Sequence, residues 1–200
     1  MSESSRVPRL ALIAVAVVCI AGIAAVAYLN PFGEPEETID WNLTLISSSG
    51  EEKVLTFDEL KAMPSHEGYG GFFTTVGVVN GPYKCKGVLV KDLCDLVGGI
   101  NASNTIWVSA SDGYLMALSY DQVNGDFRTF DPVTFREAPH EELKMILMYE
   151  KDGAFLSDYD GRPLRIAIVS TKHDYLTEGH NWVKWVDRIE VRTPTNTSLT

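Results

Sequence analysis

After an apolar stretch near its N-terminus, the chain settles into short segments whose hydrophobic spacing changes from one to the next. Residues 41–46, Trp-Asn-Leu-Thr-Leu-Ile, alternate apolar and polar with period two, which predicts a half-buried strand. Thr56-Phe57-Asp58-Glu59 has the spacing of a capping box and predicts a short helix to Met63, stopped by Pro64. Residues 72–79 are aromatic and β-branched and predict a second strand, turned by Asn80-Gly81-Pro82. Over residues 88–97, Leu89, Val90, Leu93, Cys94, Leu96 and Val97 make one broad apolar helical face, with Lys91, Asp92 and Asp95 opposite and Gly98-Gly99 as the stop. Residues 105–110 and 114–118 predict a hairpin through Ser111-Asp112-Gly113, residues 120–123 one helical turn, and residues 143–149, 164–169 and 185–191 three further strands. Strands outnumber helices without strict alternation, so the expected class is α+β, with a mixed, mostly antiparallel sheet and a few short helices.

The apolar stretch itself begins at Leu10 and ends at Leu29, 20 residues without a charge. At about 1.5 Å per residue it reaches roughly 30 Å, the thickness of a bilayer hydrocarbon core. Arg6 and Arg9 precede it and Glu34, Glu36 and Glu37 follow it, so the positive-inside bias predicts a single-pass anchor with the domain outside the cytoplasm. A cleavable signal peptide is the competing reading, because Ala25-Val26-Ala27 is a small-x-small site before Asn30-Pro31. The expected organisation is a cytoplasmic segment 1–9, a transmembrane anchor 10–29, a Pro- and Glu-containing linker 30–39, one domain 40–192 and a polar tail 193–200.

Charge and cysteine content narrow the chemistry. The 200 residues carry 17 Lys+Arg against 27 Asp+Glu, a net charge of −10, which disfavours nucleic acid as a partner. Of three cysteines only Cys85 and Cys94 fall in the domain, so a core and not a disulfide framework must hold it together, although one Cys85–Cys94 bridge stays open. His66, His140, His173 and His180 lack the spacing of a zinc site. Neither a Gly-rich phosphate loop nor a Gly-x-Ser-x-Gly nucleophile turn is present.

Three stretches in order resemble a known family. Lys86-Gly87-Val88-Leu89-Val90-Lys91-Asp92-Leu93, then Ser111-Asp112-Gly113-Tyr114, then a C-terminal block are similar to the sulfite oxidase-type molybdopterin-binding domain. The block contains Met148-Tyr149-Glu150-Lys151-Asp152-Gly153, Asp160-Gly161-Arg162-Pro163-Leu164-Arg165 and Val183-Lys184-Trp185-Val186-Asp187-Arg188-Ile189-Glu190-Val191. The resemblance implies a sulfite oxidase-like β domain and a site where a pterin dithiolene holds molybdenum. It also implies an oxidoreductase that moves oxygen atoms or electrons to an unknown substrate or a redox partner protein, here joined to the membrane anchor read from residues 10–29.

One departure cuts against that activity. In catalytic members a cysteine thiolate ligates the metal, and its place here falls near Thr75, Val76, Gly77 and Val78, none of which is cysteine. Cys85, between Lys84 and Lys86, is a replacement ligand if those lysines lower its pKa, and a packed or weakly reactive surface cysteine otherwise, whereas Cys94 reads as core. For the cofactor's phosphate the resemblance points to Lys184, with His180 and Asn181 beside it, while an outward, solvated lysine is the plainer alternative for Lys184. The second functional reading is therefore a non-catalytic module on the same fold that binds a ligand or a partner after losing the metal site.

Overall fold

The computed structural model describes residues 38–194. The predicted anchor 10–29 lies outside these residues, and among them no helix is long and apolar enough to cross a membrane.

The first sheet has five strands in the order β2 (Glu52–Thr56), β1 (Asn42–Ile46), β11 (Val186–Arg192), β5 (Thr105–Ala110) and β6 (Leu115–Ser119). β1 lies parallel to β11, and the other pairs are antiparallel. Period-two patterning sets the register: Ile106, Val108 and Ala110 face the core while the residues between them are half exposed. Gly113, at φ +90°, makes the predicted β5–β6 turn.

The second sheet runs β10 (Thr177–Glu178), β3 (His66–Phe73), β4 (Val79–Leu89), β7 (Lys144–Lys151) and β8 (Ala154–Phe155), with β9 (Arg165–Val169) also paired to β7. It curls until β9 meets β3, where Tyr69 and Ser170 exchange backbone hydrogen bonds of 2.8 and 2.9 Å. Glycines permit that closure. A Cβ on Gly70 would stand 2.3 Å from the Ile168 carbonyl oxygen, so no larger residue lets the two backbones approach this closely. Every residue of β9 is buried.

Three short helices complete the domain: α1 (Phe57–Ala62), α2 (Val90–Asp95) and α3 (Tyr120–Val123). The capping box on α1 is formed, the Glu59 amide donating to Thr56 Oγ1 at 3.2 Å and the Thr56 amide donating to Glu59 Oε2 at 2.8 Å. α3 repeats the device with Ser119 and Gln122.

Several expected boundaries move, among them the helix expected at 88–97, which spans only Val90–Asp95 because residues 88–89 close β4. The strand expected at 72–79 is instead the end of β3 and the start of β4, separated by a turn in which the Gly77 amide donates to the Thr74 carbonyl at 2.8 Å. Asn80-Gly81-Pro82 does not turn the chain but runs within β4. A register shift opposite Gly71 absorbs Pro82, and β7 pairs only from Cys85 onward, so the missing proline N–H leaves no ladder partner stranded. Lys184 and Trp185 also fall outside the closing strand, which starts at Val186. They form a turn in which Trp185 takes φ +53°, held by hydrogen bonds from its amide to the Gly161 carbonyl and from the Ser111 amide to its own carbonyl.

Candidate functional site

That turn, the 3₁₀ turn Gly179–Asn181, the β3–β4 turn and the segment before β9 converge on a cavity of about 550 Å³. Its size is that of a small-molecule site. Its floor is organised around Arg165, the one basic residue of β9, which is only 5% exposed. The guanidinium carbon lies 4.7 Å from the centre of the Phe72 ring and 5.5 Å from that of Trp182, and those two rings are 4.9 Å apart. Nη1 donates to the Asp160 carbonyl at 3.2 Å, while Nε is buried without a partner. A buried cation with an unpartnered donor is costly, and because the Arg165 side chain also lines the cavity, the floor presents positive charge to whatever the cavity holds. Burial pulls the Arg165 pKa down, and Asp160 opposes that shift.

Lys184 stands beside it. Its amine donates to the Tyr159 carbonyl, lies 4.6 Å from the Tyr159 ring centre and 5.6 Å from that of Trp185. Burial first, then the neighbouring Arg165, lower its pKa. Gly161 is required here, since a Cβ at that position would meet the Lys184 stem at 2.6 Å. Asp160 lines the cavity but is already engaged: Lys151 Nζ lies 2.5 Å from its Oδ2 and Ser157 Oγ donates to the same oxygen at 2.6 Å. Burial would raise this carboxyl, yet the Lys151 and Ser157 hydrogen bonds hold it below the usual range.

The predicted site residues separate. Lys184 and His180 both line the cavity, and the His180 carbonyl accepts a hydrogen bond from the Tyr114 hydroxyl at 3.2 Å. Asn181 is buried with an unpartnered Oδ1 and is not among the lining residues. Arg165, Tyr114, Tyr159 and Trp182 escaped the sequence reading, although an arginine in the otherwise apolar run 164–169 was a visible signal.

Cys85 is corrected most. Along β4 the side chains alternate, so Lys84 and Lys86 face outward to Glu67 and Glu150 while Cys85 points into the core, fully buried. Its neighbours in sequence therefore cannot activate it. Burial, reinforced by Asp152 and opposed by Arg165 and Lys151, pushes the thiol pKa up to about 12. Cys94 is likewise buried and raised to about 12, and both thiols are free.

The residues present fit half of a molybdopterin centre. Arg165 and Lys184 supply cations suited to a phosphate, and aromatic faces lie beside them. At the place of the metal ligand the cavity wall is Thr74, Thr75, Val76 and Val78, and among the described residues no thiol lines it. A cysteine-ligated molybdenum does not fit this wall.

Comparison with solved structures finds similarity to the sulfane dehydrogenase SoxCD from Paracoccus pantotrophus, with a TM-score of 0.60 and 16% identity. The match covers 82% of this chain and 41% of that one, so this chain spans less than half the length of the SoxCD chain. A comparison with curated protein sequences finds no match. The sequence profile described as the oxidoreductase molybdopterin-binding domain matches residues 32–199. With the profile spanning nearly the whole chain and the β architecture agreeing, the chain belongs to the oxidoreductase molybdopterin-binding domain family.

Proposed function

We propose that this chain is a binding module of that family, displayed outside the cytoplasm by the apolar segment 10–29, whose cavity holds an organic anion of the pterin-phosphate kind without a protein-ligated redox metal. The observation that carries it is the contrast within one cavity. Arg165 and Lys184 place two cations in the cavity, Arg165 buried at its floor, and the wall where a thiolate belongs is threonine and valine. In this reading Arg165 and Lys184 take the anionic group, Phe72 and Trp182 fix the guanidinium plane, and Trp185 and Tyr114 flank the bound molecule.

The second reading is a molybdopterin-dependent oxidoreductase working with a redox partner, supported by family membership and by the retained cationic floor. Bound molybdenum would supply the oxygen-atom or electron chemistry, and this chain would contribute the hold on the pterin phosphate through Arg165 and Lys184.

The deciding experiment is metal and pterin content of the full chain, purified from a host that makes molybdopterin. Pterin well above molybdenum, falling in Lys184→Met, is expected. Near-stoichiometric molybdenum overturns the binding-module reading in favour of the oxidoreductase.

A further inference from the structure

The cavity has two chemically different ends. At the floor, Arg165 and Lys184 are the cations, and of the two lining carboxylates Asp160 is taken up by Lys151. Asp112, the other, accepts a hydrogen bond from the Tyr114 amide at 3.0 Å. At the mouth the exposed side chains are largely apolar or aromatic: Val76 is 83% exposed, Tyr159 82%, and Val78 and Tyr114 are also exposed. Valines on an exposed turn face water at a cost that a ligand's apolar portion would remove. A volume of about 550 Å³ is moreover far larger than a bare phosphate or carboxylate needs.

We propose that the cavity selects an amphipathic organic anion, its head group on Arg165 and Lys184 at the floor and a metal-free aryl or alkyl body against Val76, Val78 and Tyr114 at the mouth. This rests on the anion-binding reading above and adds the ligand class. The apolar body lies against the wall of residues 74–78, which presents valine and no thiol to the cavity.

The test is calorimetric titration of the solubilised full chain with inorganic phosphate and with 1-naphthyl phosphate. The aryl ester is expected to bind at least about tenfold more tightly, because burying one ring face removes apolar area worth that much. Val76→Ser/Val78→Ser should narrow the ratio between the two probes. Arg165→Met should weaken both by at least about tenfold, with Lys184→Met as the second variant if near-ultraviolet circular dichroism shows that Arg165→Met does not fold. Equal affinities for the two probes, or a ratio untouched by the valine changes, overturn the amphipathic ligand and leave the anion site standing. No binding of either probe overturns the anion site itself.

Discussion

The floor and the mouth of the cavity are built from opposite materials, and the contrast shows which parts of a site a fold protects. Arg165 sits on a strand buried along its whole length, its guanidinium against the paired rings of Phe72 and Trp182, so changing it disturbs core packing as well as charge. Residues 74–78 form a turn closed by backbone hydrogen bonds and by the Val78 amide donating to Thr74 Oγ1 at 3.1 Å, while Thr75, Val76 and Val78 are exposed. A substitution on such a turn is expected to cost little stability, whereas one at the cationic floor is expected to disturb the core.

The contrast breaks most visibly at the seam behind the floor. Gly70→Ala would force a Cβ to 2.3 Å from the Ile168 carbonyl and part β3 from β9, and a loss of about 3 kcal/mol is expected in urea unfolding. Arg165→Ala should cost about 2 kcal/mol, from the cavity left beside the Phe72 and Trp182 rings, together with anion binding. A loss confined to binding would show that the floor is not structural. A smaller effect belongs to Asp160, whose carboxyl is held below its ordinary range. Its contribution is whole above the usual carboxylate range and disappears as pH falls through the depressed folded-state value, so Asp160→Asn should flatten the acid limb of a stability–pH curve. At the mouth, Val76→Ser should leave stability within about 0.5 kcal/mol of the parent. A larger change in denaturation midpoint would mean that the turn is coupled to the core after all.

Much of the architecture was legible because its signals are local. The Thr56–Glu59 capping box, the Asp112-Gly113 hairpin and the strands ending near Tyr149 and Val169 appear close to where their spacing placed them. What escaped depends on partners far away in sequence. The glycine-containing first half of β3 has no apolar alternation, and only the approach of β9 explains it. Asn80-Gly81-Pro82 reads as a turn until a register shift opposite Gly71 accommodates it within β4.

The site divides in the same way. The run Asp160 to Arg165 and the Val183-Lys184-Trp185 segment were recognisable as stretches, and Lys184, expected to meet the cofactor's phosphate, lines the cavity. Arg165 was passed over because burial on a fully enclosed strand is a property of the assembled sheets, not of a five-residue window. Cys85 shows the reverse case, in which the structure decides for the packed alternative. Two flanking lysines suggested an activated thiol, but adjacent residues on a strand point to opposite faces, so proximity in sequence was separation in space.

By itself, then, the sequence determined the apolar segment 10–29, the strand-rich class, the family and the absence of cysteine from residues 75–78, since each is written in composition, period or order. Only the tertiary structure decided that Arg165 and Lys184 share one cavity, that Asp160 is already engaged by Lys151, and that both domain cysteines are sealed in the core. Those facts depend on which strands lie side by side, and long-range pairing sets the burial and charge environment that local spacing cannot encode.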